Sequence, residues 1–259
     1  MRPPQSPKQN KILAALPLVS YTRLLPFLEF VSMPVGHVVY EPGLPIQYLY
    51  FPTSAVVARL YETESGACTQ TGIIGNEGVV GISALFGSEY SPARVVGLST
   101  GKGYRVKRSF LKDEFESGGS ELRLLLLRFG YALLVQTEQV AVSNRYHTVE
   151  QQLSYLLLMS LDRLPGNELH ITHDQAGIML GVRRESVTVA AHRLQAAGAI
   201  RCRRGHLAVV DRRQLEVSAG ENYSVVKKEY DCLLQLYFSL AELPPGPPTQ
   251  FKRFFQSAG

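Results

Sequence analysis

The densest chemistry in the chain lies between residues 183 and 213. Arg183, Arg184, Arg193, Arg201, Arg203, Arg204, Arg212 and Arg213 stand there against Glu185 and Asp211, a local net charge of +6. The whole chain is formally +5, so the remainder sums to about −1. A guanidinium can bridge O6 and N7 of guanine, and a carboxylate can accept from N4 of cytosine. Adjacent Arg184 and Glu185 are therefore residue types that read base edges. The turn Arg203-Arg204-Gly205-His206 is basic and glycine-bearing, a composition suited to phosphates. A basic face that merely meets solvent is the ordinary alternative, and the surrounding pattern argues against it.

The elements that would position these side chains are legible from spacing. Thr172 with Gln175 three residues later has the capping-box pattern of a helix start. That helix runs to about Leu180, where Gly181 stops it and allows a sharp turn. Gly177 lets a second helix cross closely. The second helix begins at Arg183 or Arg184 and ends before Gly198. Val187, Ala190, Ala191 and Leu194 follow the i, i+3, i+4, i+7 rule and form its buried stripe. Arg184, Glu185, Thr188 and His192 fall on the opposite side. Ala199–Arg201 and Leu207–Val210 then bracket the basic turn as a small hairpin. The arrangement is a winged helix-turn-helix, with Thr172, Arg183, Arg184, Glu185, Thr188, His192, Arg203, Arg204 and His206 as candidate DNA contacts.

The run RRESVTVAAHRL followed by GAIRCRRGHLAVV resembles the C-terminal domain of Crp/Fnr-family transcription regulators. Recognition helices of that family carry Arg-Glu-Ser/Thr-Val with a Leu seven residues after the Val. Arg184, Glu185, Ser186, Val187 and Leu194 occupy those positions. The resemblance implies that Arg184 and Glu185 read bases. Two departures matter. Arg183 replaces the Ser cap of many members, which weakens capping, and Val189 stands where some carry a further basic contact, which leaves the target sequence open.

Composition sets the wider frame. Of 259 residues, 45% are hydrophobic and 19% charged, as in a globular protein of one or two domains. No apolar run approaches the roughly 20 residues needed to span a bilayer, so no membrane role is expected. MRPPQSPKQNK is polar and leads into no signal-peptide core, which points to the cytoplasm. Cys68, Cys202 and Cys232 share no ligand spacing, and a lone His37 has no partner in sequence, so neither metal nor cofactor is expected. No nucleophile elbow, phosphate loop or zinc spacing is present, and the chain does not read as an enzyme.

Residues 12–30 read as short helices broken at Pro17 and Pro26. From about 31 to 106, short β-rich runs such as HVVYE, YLYFP, AVVARLYE, ARVVGLS and GYRVK alternate with glycine and proline turns. These are the marks of an antiparallel barrel or jelly roll, and the Gly75–Gly78 stretch reads as one of its turns. The order β-roll, long helix, winged helix-turn-helix extends the resemblance to nearly the whole chain, because the family's first domain is a cyclic-nucleotide-binding-like roll. Its phosphate cassette has Gly-Glu-x-x-Leu followed by Arg-Ser/Thr-Ala. Here Gly81-Ile82-Ser83-Ala84-Leu85 keeps the Gly and Leu, but Ile82 replaces the ribose-binding Glu. Pro92 replaces the phosphate-binding Arg, and Arg94 comes two residues late. The resemblance places a candidate effector pocket at Gly81, Ile82, Ser83, Leu85, Arg94 and Thr137.

Between 120 and 143, Leu122, Leu126, Phe129, Leu133, Gln136 and Val140 alternate spacings of four and three, a coiled-coil seam. Leu124, Leu125, Leu127, Tyr131 and Leu134 add a second apolar surface. One surface can pack on the roll and the other on a twin helix, and the seam is assigned to the twin, with Gln136 or Thr137 fixing register in preference to meeting a ligand from the roll. Residues 144–147 read as a hinge, LSYLLLMSL as a buried helix, and 223–241 as a terminal amphipathic helix. The tail ELPPGPPTQFKRFFQSAG is proline-rich, then basic and aromatic.

The expected architecture is α+β. A β-roll sensor spans 1–119, a dimerisation helix and hinge 120–146, a winged helix-turn-helix 147–222, and a C-terminal helix and tail 223–259. The expected function is sequence-specific DNA binding by a homodimer that contacts RNA polymerase, with a degenerate sensor domain or one tuned to an unidentified effector. The alternative is a small-molecule sensor or interaction module without specific DNA binding. An apolar Ile82 cannot accept from a ribose hydroxyl, and without Arg a buried phosphate lacks its partner. Calorimetry with cyclic AMP and cyclic GMP is therefore expected to show no micromolar binding, and such binding would mean that another pocket compensates.

Overall fold

In the computed structural model, which describes residues 6–117, 120–203 and 205–241, short helices α1 (Lys11–Ala15) and α2 (Leu18–Leu24) flank Pro17. Buried Asn10 pins them to the β-roll. Its Oδ1 accepts from the Ile12 and Leu13 amides, and its Nδ2 donates to the Pro52 and Gly78 carbonyls at 3.0 and 2.8 Å.

The roll consists of β1 (Glu29–Met33), β2 (Val38–Tyr40), β3 (Tyr48–Pro52), β4 (Val57–Glu62), β5 (Cys68–Ile74), β6 (Arg94–Gly97) and β7 (Gly101–Lys107). They pair antiparallel in two sheets, ordered β1-β7-β3 and β2-β6-β4-β5. Leu49, Phe51, Val57, Ala58, Ile73 and Val106 are fully buried and belong to the hydrophobic core around these sheets. Strand β5 lacks the apolar alternation of its neighbours, because Thr69, Gln70 and Thr71 interrupt it. Its pairing with β4 rather than its own pattern makes it a strand. Helix α3 (Arg108–Ser117) follows β7 and was not expected from the sequence.

Helix α4 (Ser120–Tyr146) is 27 residues long, about 40 Å at 1.5 Å per residue. Here the structure corrects the assignment of its faces. Leu122, Leu126, Phe129, Leu133, Gln136 and Val140 are all buried within the chain, so this stripe is not free to meet a twin helix. The reason lies in β5, which ends its sheet and would leave its outer hydrogen-bonding edge open. Gln136 Oε1 accepts from the Ile73 amide at 2.8 Å, and the Thr137 hydroxyl donates to the Thr71 carbonyl at 3.0 Å. Gln136 thus covers a sheet edge instead of setting a coiled-coil register. The second apolar surface divides. Leu125 is fully buried, whereas Leu127, Tyr131 and Leu134 are about half exposed and form the open stripe.

Helix α5 (Val149–Leu161) starts with a capping box of Thr148 and Gln151. The stretch expected to hinge is tied down: buried Gln152 donates from Nε2 to the Ser143 and His147 carbonyls, both at 3.1 Å. Beyond it come β8 (Glu168–Leu169), α6 (His173–Leu180), α7 (Arg184–Ala196), β9 (Ile200–Arg203) and β10 (His206–Val209). The wing is a three-stranded sheet ordered β8-β10-β9 and not the two-stranded hairpin expected. Helices α8 (Arg212–Ala219) and α9 (Glu221–Ala241) close the described chain. Helix α9 packs along α4 and α1, burying Tyr223, Val226, Tyr230 and Leu233, and Asn222 Nδ2 donates to the Gln139 carbonyl at 3.0 Å. The tail with FKRFF lies outside the described residues. Among the described residues no helix is long and apolar enough to cross a membrane.

The roll and the C-terminal half meet at a buried ion pair. Arg163, just past α5, donates from Nε to Glu77 Oε1 at 2.7 Å, with both side chains about 95% buried (4% and 6% exposed). Glu77 belongs to the Gly75–Gly78 turn, and the same Oε1 accepts from the Gly75 amide at 3.1 Å. Arg163 also donates to the Met159 carbonyl at 2.7 Å and lies over the Tyr230 ring at 4.6 Å. Burial alone would lower the pKa of Arg163, but Glu77 outweighs it and the guanidinium stays charged. Glu77→Gln would leave that charge buried without its counter-ion. The expected cost is about 3–5 kcal/mol, read as an earlier midpoint in urea denaturation, and an unchanged midpoint would remove the pair from the account of stability.

Candidate nucleic-acid interface

The C-terminal half is built on α5, which is buried over most of its length from Gln152 to Leu161. Helices α6, α7 and α8 and the wing pack around it. Thr172 Oγ1 accepts from the Gln175 amide at 3.1 Å, while Gln175 Oε1 accepts from the Thr172 amide at 2.9 Å. The box therefore forms as expected and starts α6. Gly181 ends α6 at φ +66°, a conformation that costs a side-chain-bearing residue energy. Gly177 is where the helices cross: a Cβ there would lie 2.9 Å from the Val182 carbonyl oxygen.

Val187, Ala190, Ala191 and Leu194 are buried, which orients α7 unambiguously. Arg183, Arg184, Glu185, His192 and Arg193 are exposed on its outer side, and so is Val189. Arg183 caps α7 without a side-chain hydrogen bond, so the first-turn amides of this helix have no side-chain partner from the cap residue. Arg184 reaches Asp174 of α6 at 3.7 Å, but both groups are more than 60% exposed and the pair is weakly held.

Two candidate contacts are already engaged inside the motif. The Thr172 hydroxyl belongs to the capping box. The Thr188 hydroxyl donates to the Arg184 carbonyl at 3.1 Å and lies 3.0 Å from His173 Nδ1. His173 was absent from the sequence-based candidates. Burial lowers its pKa, and neighbouring His192 and Arg184 push the same way, so the neutral imidazole is favoured. Its position one residue after the cap was the available clue.

In the wing, Leu169, Ile200, Leu207 and Val209 face the core, and Arg201, Arg203 and His206 lie on the other side of the sheet. Gln195 of α7 holds the wing in place by accepting from the Cys202 amide at 2.7 Å. His206 meets His170 edge to face, with ring centroids 4.2 Å apart. Arg204 lies outside the described residues. Not all eight arginines contribute to the outer charge. Arg212 pairs with Asp162 and Glu216 and donates to the Tyr223 hydroxyl at 2.6 Å, tying α8 to the end of α5 and to α9.

The residues of the expected effector pocket are each engaged in contacts of the fold. Gly81 abuts the buried Tyr40 ring, whose hydroxyl donates to the Tyr48 carbonyl at 2.6 Å. Ile82 and Leu85 are buried in the short turn after Gly81, and Ile82 lies close to Gly130 of α4. Ser83 is half-buried in that turn. Arg94 forms a two-point pair with Glu41 at 2.9 and 3.1 Å near the surface. Thr137 is held by the Thr71 carbonyl on β5, seven residues, or about 10 Å, along α4 from Gly130.

Comparison with known proteins places this geometry. Residues 151–217 match the Crp-like helix-turn-helix domain. No curated protein matches the chain. Among solved structures, the fold is similar to a putative transcriptional regulator of the Crp/Fnr family from Eubacterium rectale, with TM-score 0.65 and 14% identity over 82% of this chain and 99% of that one. It is also similar to the c-di-GMP-responsive global regulator CLP of Xanthomonas campestris, at TM-score 0.60 and 20% identity over 74% and 99%. A CRP/FNR-family transcriptional regulator of Thermus thermophilus gives TM-score 0.59 and 22% identity over 74% and 98%. At these identities the likeness to the solved structures is one of fold.

Proposed function

We propose that this chain, of the Crp/Fnr type in its fold and in its Crp-like helix-turn-helix domain, is a homodimeric transcription regulator that reads a two-fold operator through α7. The observation that carries the reading is the orientation of α7. Its four apolar residues lock it onto α5 and α6, and Arg183, Arg184, Glu185 and His192 are left outward at and beyond its N-terminus. An α-helix presented in this way fits the major groove, where Arg184 meets guanine and Glu185 meets cytosine. First-turn amides without a side-chain cap suit a phosphate, as do Arg201 and Arg203 on the wing.

Arg204 joins the wing contacts by its place in the sequence. Thr172 and Thr188 act chiefly by shaping the motif, since their hydroxyls have partners within it. The roll serves as a sensor or as a purely structural partner for α4. With Ile82 buried, Arg94 tied to Glu41 and Tyr40 against Gly81, the cassette favours no cyclic nucleotide. The regulator acts in the cytoplasm, contacts RNA polymerase, and performs no catalysis.

Dimerisation is assigned to the open stripe Leu127, Tyr131 and Leu134, whose spacing of four and three continues along the outer side of α4. Leu127→Glu with Leu134→Glu should yield monomers in sedimentation while the fold persists, because both residues are half exposed. Leu126→Glu should instead unfold the chain, since Leu126 is fully buried within it. A double variant that stays dimeric would move the interface elsewhere.

A bidentate Arg–guanine pair supplies roughly 1–3 kcal/mol of discrimination. Arg184→Ala should therefore weaken specific binding by about ten- to a hundredfold per half-site and relax one base position. The measurement is a titration of specific and scrambled duplexes at several salt concentrations. Equal losses on both, with an unchanged specificity ratio, would make Arg184 a phosphate contact and end its role as a base reader. Absence of salt-dependent duplex binding by the unaltered protein would instead favour a sensor or interaction module.

A further inference from the structure

The outer face of the wing sheet brings two neighbouring metal-binding side chains, Glu168 and His170, beside a third, His206, that lies far along the sequence. Glu168 in β8 and His170 just beyond it flank the buried Leu169, so the alternation of an extended chain puts both on the outer side. Strand β8 pairs with β10 through Leu169↔Leu207 and Glu168↔Ala208, a register that sets His170 opposite His206. The two imidazoles meet at 4.2 Å between centroids, tilted by 61°. One donor atom from each of Glu168, His170 and His206 can be chosen so that all three lie within 4.8 Å of one another.

We propose that Glu168, His170 and His206 form a binding site for a divalent transition cation of the zinc, cobalt or nickel kind. Two imidazole nitrogens and one carboxylate oxygen are a mixed donor set that such ions accept, whereas magnesium and calcium take oxygen ligands. Ligand bonds of about 2.0–2.2 Å place tetrahedral donors roughly 3.5 Å apart. The observed spacing therefore needs a contraction of about 1 Å, within reach of side-chain rotation at an exposed or half-buried site. Three protein ligands leave at least one position to water.

The backbone beneath the site is firm. Leu169 and Leu207 are each 1% exposed and anchor the two strands from below. The ladder is extended past Glu168 by the Val209 amide donating to the Asn167 carbonyl at 2.8 Å, and by Asn167 Nδ2 donating to the Val209 carbonyl at 2.9 Å. These bonds resist a register slip that would send His206 to the inner face. A bound cation would bridge β8 to β10 at the root of the basic turn. The site itself does not depend on the DNA-binding reading, because it can be filled without DNA.

The test uses the full chain, stripped with a chelator and titrated with zinc against a chromogenic chelator, and with cobalt while its visible d–d absorption is followed. One equivalent of metal per chain is expected. His170→Ala and His206→Ala should each weaken binding by about tenfold or more, and Glu168→Gln should weaken it as well. Replacing the exposed His37 by Ala should leave binding unchanged. Zinc should raise the melting temperature of the unaltered protein and not that of the two wing variants. Failure of the unaltered chain to bind zinc or cobalt would overturn the site. Equal binding by the unaltered chain and both histidine variants would overturn it too, placing the metal elsewhere.

Discussion

The architecture depends on one buried charge pair. Arg163 comes from the end of α5, Glu77 from a turn of the β-roll, and the Tyr230 ring from α9 covers the guanidinium. Three parts of the chain more than 60 residues apart thus converge on one cation. Desolvation makes each charge costly, and only close contact with the other offsets the cost. Movement of the DNA-binding half away from the roll would have to separate those charges or hydrate them. The ion pair therefore favours one relative placement of the two halves more sharply than apolar contact alone would, because apolar surfaces can slide.

Helix α4 distributes its sides accordingly. One covers the open edge of β5 through Gln136 and Thr137, and another receives α9. The third, with Leu127, Tyr131 and Leu134, stays open. The polar residue in an apolar stripe has a definite physical use here. A strand edge carries unpaired amides and carbonyls, and only a polar side chain can satisfy them from a helix packed alongside.

The DNA-binding motif follows from local rules to an unusual degree. The capping box of Thr172 and Gln175, the stop at Gly181, the close crossing at Gly177 and the buried stripe of α7 were all readable from spacing. Each depends on interactions within a few residues, or on a helical period that two consecutive turns display. The same holds for α1, α2, α5 and most strands of the roll. Strand β5 was not readable by its own pattern, because its strand character comes from pairing with β4 and from Gln136.

What the sequence determined by itself was therefore the local grammar: most element types, the caps of α6, the charge of the recognition segment, and which side of α7 is apolar. What only tertiary structure decided was the partner of each surface. Two apolar stripes on α4 look alike in sequence, since a heptad spacing does not say whether a sheet edge, α9 or a second chain lies opposite. Arg212 reads as one more basic residue until Asp162, fifty positions earlier, is found beside it. His173 reads as a first-turn residue until Thr188 meets it. His206 joins Glu168 and His170 only because antiparallel pairing brings residues 36 positions apart, His170 and His206, into register. Spacing along the chain encodes periodicity, whereas proximity across it is set by packing, and the charges and ligands of this protein depend on the second.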